Sequence, residues 1–371
     1  MKKIKIIISG GGTGGHIFPA LAIANALRRR FPNVDILFVG AKNRMEMKRV
    51  PEAGYPIVGI KISGLQRKLT IKNIFKNLLF PFKVLNSLRV AKQIVRNFNP
   101  DVVVGVGGYA SGPTLKMASA LKIPTVIQEQ NSYPGITNKL LAKKANKICV
   151  AYPNMDHFFA KDKIVITGNP VRADIISFQP KKEEAFKFFN LDSSKKTIVV
   201  IGGSLGSYTI NKSMQGSLQY FKDADIQLIW QTGDRFYNRI FDQVAGLKHD
   251  GILAVPFIKR MDYLYSVADL VISRAGALTI SEVCGLKKPT ILIPSPNVSE
   301  DHQTKNAKVL SDANAAILIK DKDAPALLGK EALALMKDSQ RLQELSENIA
   351  RFATPNADEL IVDEIVKLIK F

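Results

Sequence analysis

Short apolar runs rich in Ile and Val alternate along the chain with longer runs in which apolar residues recur every three or four positions. The short runs predict strands and the longer runs predict helices. In the first half, the predicted strands are residues 4–9, 36–39, 102–105, 125–128, 148–150 and 164–167. Helical runs follow most of them, for example over 17–29 and 113–121. This order predicts a mostly parallel, doubly wound α/β sheet.

A second series of the same kind begins at Lys196. Its predicted strands are residues 197–201, 227–230, 252–255, 270–273, 290–293 and 316–319. Gly and Pro interrupt the chain over 167–172, and 371 residues exceed one ordinary core. We expect a first domain over 1–163 and a second over 164–355, with a last helix, 356–371, packing back on the first.

Glycine turns follow three of these strands. The turns are residues 10–15, 105–112 and 202–206. A strand, a glycine turn and a helix together form a phosphate cradle, because glycine lets backbone N–H groups approach an anion at the positive end of the helix. Gly10, Gly12 and Gly15 fit the dinucleotide pattern, but the next strand ends in Gly40 and lacks the acidic ribose ligand.

Candidate catalytic and ligand-binding residues lie in or near the loops that follow the predicted strands. His16 stands directly at the start of the first helix, where an imidazole can act as a base. In the second half, the run 273–282 can hold a diphosphate, and Glu282 can accept both hydroxyls of a ribose unless it is only a helix-surface carboxylate. Residues 128–132 form a further polar cluster at the end of a strand, and residues 301–306 supply amides suited to sugar hydroxyls.

Metal binding is not expected. The pairs Asp223/Asp225 and Asp321/Asp323 are interpreted as solvated turns and helix caps, at the wrong sheet edge for a site. Only two cysteines occur, and no His/Cys cluster has the spacing of metal ligands. The low cysteine content favours a reduced, cytosolic compartment, and we identify neither a signal peptide nor an apolar run long enough to span a membrane.

Positive charge is concentrated in the first half. Residues 1–163 hold 27 of the 53 Lys and Arg residues but only 7 of the 32 Asp and Glu residues. Such asymmetry indicates a polyanionic partner, either an acidic membrane surface or a nucleic acid, with simple solubilisation as the alternative. Three glycine turns without stacking platforms count against a nucleic acid.

One segment combines the charge with an apolar stripe. Residues 61–100 carry nine basic side chains and no acidic one, and Pro81 is expected to divide them into two helices. The stripe on the first of these comprises Ile71, Ile74, Phe75, Leu78, Leu79 and Phe82. This composition is typical of a helix that lies on an anionic membrane, although the stripe can instead pack on the sheet.

Seven motifs run in order along the chain: residues 11–16, 107–113, 129–131, 169–172, 202–206, 274–282 and 301–303. Together they resemble glycosyltransferase family 28, in particular the peptidoglycan N-acetylglucosaminyltransferases that convert lipid I to lipid II. The resemblance implies the GT-B fold, with two Rossmann-like domains facing each other across a cleft. Two positions depart from the family pattern: Thr304 replaces a frequent Gln, and Gln128 replaces a frequent His.

The resemblance also implies which residues bind substrates. The expected contacts to the donor, UDP-N-acetylglucosamine, are Thr13, Gly14, Gly15, Asn131, Arg172, Ser204, Ile258, Ala277, Leu278, Thr279, Ile280, Ser281, Glu282 and Gln303. Among them, the Ile258 backbone reads the uracil, Glu282 the ribose and Gln303 the sugar. The expected acceptor contacts are Gly11, Gly12, Gly107, Gly108 and Tyr109.

The implied reaction is a single inverting displacement by the 4-hydroxyl of MurNAc-pentapeptide on undecaprenyl diphosphate. No metal or cofactor is expected if helix N-termini stabilise the diphosphate. His16 is either the general base or a group that positions the acceptor diphosphate. The enzyme is expected at the cytoplasmic face of the membrane as a peripheral protein. Another GT-B glycolipid transferase and a UDP-sugar 2-epimerase remain alternatives.

Overall fold

The computed structural model describes residues 3–62, 80–171, 175, 182–203, 205–247 and 249–370. The chain forms two compact units, one made of Met1–Arg172 with Thr354–Phe371 and the other of Ala173–Ala353. Each unit is built on a parallel sheet with helices, which confirms the predicted doubly wound α/β class. Residues 63–79, which include every member of the predicted apolar stripe except Phe82, lie outside the described residues.

The first unit contains a seven-stranded sheet of order β3-β2-β1-β4-β5-β6-β7. All of its pairings are parallel. Its strands are β1 Lys5–Ser9, β2 Asp35–Ala41, β3 Ile57–Ile60, β4 Val102–Gly105, β5 Thr125–Glu129, β6 Lys147–Val150 and β7 Ile164–Ile166.

The second unit contains a six-stranded parallel sheet of order β10-β9-β8-β11-β12-β13. Its strands are β8 Thr197–Ile201, β9 Gln227–Gln231, β10 Ile252–Val255, β11 Leu270–Ser273, β12 Thr290–Leu292 and β13 Ile317–Leu318.

Helices connect the strands in both units. Within the described ranges they are α1 Gly14–Arg30, α2 Glu46–Glu52, α3 Phe80–Phe98, α4 Ser111–Ala120, α5 Ile136–Ala142, α6 Lys182–Phe189, α7 Tyr208–Asp223, α8 Asp234–Gly246, α9 Met261–Val267, α10 Ala277–Gly285, α11 His302–Asp312, α12 Ala324–Lys337, α13 Ser339–Ala350 and α14 Ala357–Val366.

The boundary between the units differs from the predicted one. The sequence places it between residues 163 and 164, whereas the compact units divide between Arg172 and Ala173. The reason is β7, whose residues pair in parallel with β6 and so complete the first sheet. The last helix, α14, belongs to the first unit because its apolar face covers that sheet.

The core of the first unit follows the alternation of side chains along β1. Ile6 and Ile8 lie in a cluster with residues of α1 and α14, while Ile7 lies in a second cluster with residues of α3 and α4. All three isoleucines are fully buried, because helices cover both faces of the sheet. This explains why β1 is a continuous apolar run.

The strand order places the glycine turns at the carboxyl ends of the central strands of each sheet. The central strand β1 pairs with β2 on one side and with β4 on the other, and β8 likewise pairs with β9 and β11. Connections from these strands leave toward opposite sides, which opens a crevice at their carboxyl ends where ligands bind in doubly wound sheets. The loops after β1 and β4, and after β8 and β11, are therefore the places to look for a site.

Candidate active site

A buried carboxylate anchors the first glycine turn by hydrogen bonds. Gly11 and Gly12 have φ values of 146° and 89°, which favour glycine. The Gly12 N–H donates to Oε2 of Glu46 at 2.8 Å, and the Ala41 N–H donates to Oε1 at 2.9 Å. Glu46 is 1% exposed, so this carboxylate ties the turn to the end of β2. Thr13 is the N-cap residue of α1, whose first turn contains Gly14, Gly15 and His16.

His16 is oriented by the backbone of the same turn. Its Nδ1 lies 3.1 Å from the carbonyl oxygen of Gly11 and 3.4 Å from Oγ1 of Thr13. A carbonyl oxygen can only accept, so the contact with Gly11 requires the proton on Nδ1. Nε2 then carries the lone pair in the neutral ring, which is the arrangement a general base needs.

The second glycine turn packs directly against the first. Gly107 and Gly108 have φ values of 91° and 85°. A β-carbon at Gly107 would lie 2.9 Å from Nε2 of His16, and one at Gly108 would lie 2.3 Å from the carbonyl oxygen of Gly11. The structure thus brings four of the five predicted acceptor residues together beside His16. The fifth, Tyr109, follows them in the same loop with its side chain 47% exposed.

A third polar cluster follows β5. Buried Glu129 accepts hydrogen bonds from the backbone N–H and the Nδ2 of Asn131, from the Gly135 N–H and from Nδ2 of Asn138, at 2.8–3.1 Å. Gln128 is completely buried and donates to Oδ1 of Asn169 at 3.0 Å. Asn131 is therefore fixed in position, whereas Gln128 has a structural role. Arg172 lies outside the described residues.

The second unit contains a cavity of about 540 Å³ at the carboxyl ends of its strands. Gly202, Gly203 and Gly206 line it from the loop after β8, and Gly276 and Thr279 line it from the start of α10. The first turns of α7 and α10 thus border the cavity, and helix N-termini attract anions. The cavity therefore suits a diphosphate. The predicted donor residue Ser204 lies outside the described residues.

An ion pair in the cavity wall corrects the interpretation of Asp321. Its Oδ1 accepts from Nη1 of Arg274 at 2.5 Å and its Oδ2 accepts from Oγ1 of Thr209 at 2.9 Å. Arg274 also donates to the carbonyl oxygens of Ile293 and Pro294 at 3.1 Å. Asp321 lines the cavity because it follows β13 at the carboxyl edge of the sheet, so the prediction of a solvated turn at the wrong edge is wrong for this residue.

Gln303 lines the same cavity, and its side chain is held by the backbone. Its Oε1 accepts from the Ser295 N–H at 2.8 Å, which leaves the orientation of the amide defined. The neighbouring Thr304, at the position of a frequent second Gln, donates to Oδ1 of Asp301 at 2.7 Å. Its hydroxyl therefore supports the loop before α11.

The other predicted donor residues occupy different surroundings. Within the run Ala277–Glu282, Thr279 is the residue that lines the cavity; Leu278 is half-buried, Ile280 is buried and Ser281 Oγ donates to the carbonyl of Ala277. Glu282 accepts a 2.7 Å hydrogen bond from the hydroxyl of Tyr265. The Ile258 N–H donates to Oε1 of Gln231 at 3.0 Å, and Nε2 of Gln231 donates to the Gly203 carbonyl.

The sequence did not predict four residues of this site, either as ligands or as residues that support ligands: Glu46, Gln231, Tyr265 and Asp321. Glu46, Tyr265 and Gln231 act on residues distant in the chain, and no local pattern indicates them. Asp321 had a signal, since it comes two residues after the predicted strand 316–319. The described residues contain no group of three His, Cys, Asp or Glu side chains that could hold a metal ion.

Comparison with known proteins agrees with this geometry along the whole chain. Residues 6–150 match the glycosyltransferase family 28 N-terminal domain, and residues 197–361 match the glycosyltransferase family 28 C-terminal domain. The UDP-N-acetylglucosamine--N-acetylmuramyl-(pentapeptide) pyrophosphoryl-undecaprenol N-acetylglucosamine transferase of Parabacteroides distasonis is 56% identical over 369 residues, covering 100% of this chain and 99% of that protein. The protein with the same name from Flavobacterium psychrophilum is 53% identical over 370 residues, with 100% and 99% coverage.

Solved structures give the same result. The crystal structure of MurG from Acinetobacter baumannii has a TM-score of 0.78 at 32% identity, covering 98% of this chain and 99% of that one. A putative UDP-N-acetylglucosamine 2-epimerase from Listeria monocytogenes has a TM-score of 0.70 at 14% identity, with 98% and 96% coverage, and so shares the fold alone.

Two doubly wound units with glycine loops at their switch points agree with the GT-B fold, and both family models together with the 32% identical MurG structure show a glycosyltransferase of that fold. Within that class, the chain belongs to glycosyltransferase family 28. The predicted fold class, family and glycosyltransferase activity are thereby confirmed.

Proposed function

We propose that this chain transfers N-acetylglucosamine from UDP-N-acetylglucosamine to the 4-hydroxyl of MurNAc-pentapeptide on undecaprenyl diphosphate, which converts lipid I to lipid II and releases UDP. The observation that carries the proposal is 56% identity, along the whole chain, to a protein named for this reaction. The two site regions described above supply the chemistry that the reaction needs.

The second unit binds the donor in this proposal. The diphosphate lies in the cavity beside Gly202, Gly203 and the first turn of α10, where backbone N–H groups and helix N-termini stabilise its charge. Glu282 accepts hydrogen bonds from the ribose hydroxyls, and Gln303 binds the sugar from the cavity wall. As the glycosidic bond to the phosphate breaks, the same groups stabilise the negative charge that develops on UDP.

The first unit provides the base. The acceptor 4-hydroxyl attacks the anomeric carbon of the donor, a new carbon–oxygen bond forms, and the bond to the β-phosphate breaks with inversion. Nε2 of His16 takes the proton of the attacking hydroxyl, because Nδ1 already holds a proton for the Gly11 carbonyl. In the alternative role, His16 positions the acceptor diphosphate, and the kinetics of a single variant separate the two roles.

The test uses the purified full chain with radiolabelled UDP-N-acetylglucosamine and a short-chain lipid I analogue. His16→Ala should lower kcat by about 10²–10⁴ while the Kd for UDP stays nearly unchanged, if His16 is the base. A loss seen only in the acceptor KM would assign the positioning role instead. His157→Ala, at an exposed position of the same unit, is the matched control.

Glu282→Ala should weaken donor binding about 10- to 150-fold, because a charged acceptor of hydrogen bonds is lost. Failure of the wild type to transfer label to the lipid, or epimerisation of the donor without any acceptor, would overturn the proposed reaction.

We further infer that the first unit binds the cytoplasmic face of an anionic membrane. Phe82 and Leu85 at the start of α3 are 70% and 55% exposed, and Ile136 and Leu140 of α5 are 56% and 75% exposed. Exposed lysines lie near them: Lys83 is on α3, and Lys143 and Lys144 directly follow α5. Apolar side chains insert at the interface while lysines meet anionic lipid, each contributing on the order of 1 kcal/mol. No helix of the described residues is long and apolar enough to cross a membrane.

Co-sedimentation with vesicles of phosphatidylglycerol and phosphatidylethanolamine tests this surface. Wild-type protein should bind, and high salt should weaken binding without abolishing it, because salt screens the charges but not apolar insertion. Replacing Phe82, Leu85 and Leu140 with Ser should remove the salt-resistant part. Phe241→Ser, at a 47% exposed position of the second unit, is the control, and equal losses in both variants would reject the surface.

A further inference from the structure

One peptide group joins the buried carboxylate of Glu46 to the ring of His16. The carbonyl of Gly11 and the N–H of Gly12 belong to the same peptide unit. The carbonyl accepts from Nδ1 of His16 at 3.1 Å, and the N–H donates to Oε2 of Glu46 at 2.8 Å. Because the peptide bond between Gly11 and Gly12 is trans, these two groups point in opposite directions from one plane. Glu46 and His16 therefore bind opposite edges of a single peptide group.

We propose that Glu46 is a positioning residue for His16 that acts through the Gly11–Gly12 peptide group. The inference rests on the role of His16 in the proposed transfer reaction. A carboxylate that accepts the peptide N–H draws electron density toward the carbonyl oxygen, because the two are conjugated. The oxygen becomes a better acceptor for the imidazole N–H, as in other chains of hydrogen bonds that polarise one another.

The relay has two consequences for the reaction. It fixes the proton on Nδ1, so that Nε2 is the nitrogen that takes the acceptor proton. It also places a negative charge one peptide group away from the imidazolium that forms when Nε2 is protonated. Glu46 thus serves His16 without touching either the ring or a substrate.

Packing around the peptide group keeps it in this orientation. A β-carbon at Gly11 would lie 2.3 Å from Cδ of Glu46, and one at Gly108 would lie 2.3 Å from the Gly11 carbonyl oxygen. The second oxygen of Glu46 accepts the Ala41 N–H at 2.9 Å, which anchors the carboxylate to the end of β2. The peptide group therefore has little room to rotate away from His16.

The first test needs no variant. Long-range ¹H–¹⁵N correlation spectra of the wild-type protein, recorded on the neutral imidazole, should show His16 as the Nδ1–H tautomer. The Gly12 amide proton should be shifted downfield by its bond to a carboxylate and should exchange slowly with solvent. An Nε2–H tautomer at His16, or a rapidly exchanging Gly12 amide, would overturn the relay.

The second test compares Glu46→Gln with Glu52→Gln, a control on the same helix whose carboxylate is 44% exposed and paired with Arg49. Glu46→Gln should reduce kcat by roughly 10-fold or more, because the uncharged amide offers only one acceptor oxygen to the N–H groups of Gly12 and Ala41. The donor KM should change by less than about twofold. The Nδ1–H signal of His16 should shift or split between tautomers. The control should match the wild type.

The outcomes separate this inference from the proposed function. If His16→Ala removes activity but Glu46→Gln alters neither kcat nor the His16 ring signals, Glu46 only supports the loop and the relay is rejected. If His16→Ala leaves kcat unchanged while Glu46→Gln still moves the ring signals, the relay exists but the role of His16 as base is rejected. If Glu46→Gln does not fold, the His16 tautomer and the exchange rate of the Gly12 amide in the wild-type protein decide whether the relay exists.

Discussion

The hydroxyl of Tyr265 donates a 2.7 Å hydrogen bond to Oε2 of Glu282, from α9 to α10. Tyr265 is 2% exposed, and burial, together with the nearby negative charge and hydrogen bond of Glu282, raises its pKa well above the usual 10. The phenol therefore stays protonated and donates to Glu282 at every pH at which the enzyme is expected to work. A buried neutral donor thus orients the carboxylate that we propose as the ribose ligand.

Tyr265→Phe should weaken donor binding without removing it. The carboxylate of Glu282 remains, but it loses one hydrogen bond and part of its orientation, so we expect a Kd for UDP-N-acetylglucosamine roughly three- to tenfold higher. Isothermal titration calorimetry measures this directly. Tyr263→Phe on the same helix is the control, since its hydroxyl pairs with exposed Glu184. An unchanged Kd in Tyr265→Phe would show that Glu282 needs no such support.

Because of Tyr265, we expect the free energy of unfolding to fall at alkaline pH. Its folded pKa is raised, so its contribution is fully present below the unfolded value of about 10 and declines as pH rises above that value. Tyr265→Phe should remove that part of the decline, although it also removes the hydrogen bond to Glu282. Urea unfolding of both proteins between pH 8 and pH 11 measures the difference, and parallel curves would contradict it.

Gly107→Ala should disturb His16 specifically. Alanine is strained at a φ of 91°, and its β-carbon would lie 2.9 Å from Nε2 and Cδ2 of the imidazole. We expect kcat to fall by at least about 10-fold, because the ring must turn away from its productive orientation, while UDP binding stays unchanged. Gly112→Ala in the first turn of α4 is the control, since its β-carbon would lie at an ordinary 3.7 Å from Cγ2 of Thr137. Equal effects of the two changes would reject a specific contact.

Asp321→Asn should have opposite effects on folding and on ligand binding. Its partner Arg274 is only 16% exposed, so loss of the negative charge should lower the free energy of unfolding by roughly 1–3 kcal/mol. The same change removes a negative charge from a cavity that suits a diphosphate, so UDP should bind several-fold more tightly. Chemical denaturation and calorimetry measure the two effects. Asp323→Asn is the control, and weaker UDP binding by Asp321→Asn would show that Arg274 must be paired to hold the cavity open.

These pairs show which parts of the molecule a sequence can predict. Strands such as β1 and β8 are continuous apolar runs because helices bury both of their faces. Burial on both faces can therefore be recognised from the local sequence alone. Glycine turns can also be recognised locally, because the positive φ values at positions such as Gly12 and Gly203 favour glycine at those positions. The fold class and the glycine turns after the strands were therefore predictable. Strand β3 was missed because its four residues include Gly59 and carry a weak pattern.

Partnerships across the sheet were not predictable. Glu46 reaches Gly12 across 34 positions of the chain, and Arg274 reaches Asp321 across 47. Such pairs exist because strand order brings separate loops to one edge, and the order of strands is not contained in any one loop. Locally, Glu46 begins a short charged helix and looks like a surface residue. The compact units divide after the predicted boundary for the same reason, since only pairing with β6 assigns β7 to the first sheet.

Helix α14 packs against α1 in the first unit. Two kinds of contact hold it: Arg29 and Arg30 pair with Asp358, Glu359 and Asp363 at 2.5–2.9 Å, and Ile361, Val362 and Ile365 are completely buried. The ion pairs raise the pKa of both arginines, but those side chains are 50% and 34% exposed, so solvent screens the pairs. Exposed pairs of this kind contribute about 0–1 kcal/mol, whereas truncating a buried isoleucine costs roughly 2–5 kcal/mol.

We therefore expect Ile361→Ala to destabilise the first unit more than the double change Arg29→Ala with Arg30→Ala. Hydrogen exchange of the β1 amides in urea measures the first unit separately from the second. The effect of the double change should also shrink in 1 M salt, whereas the effect of Ile361→Ala should persist, because salt does not screen apolar burial. If the arginine change proves the larger and resists salt, the ion pairs rather than the apolar face hold α14 in place.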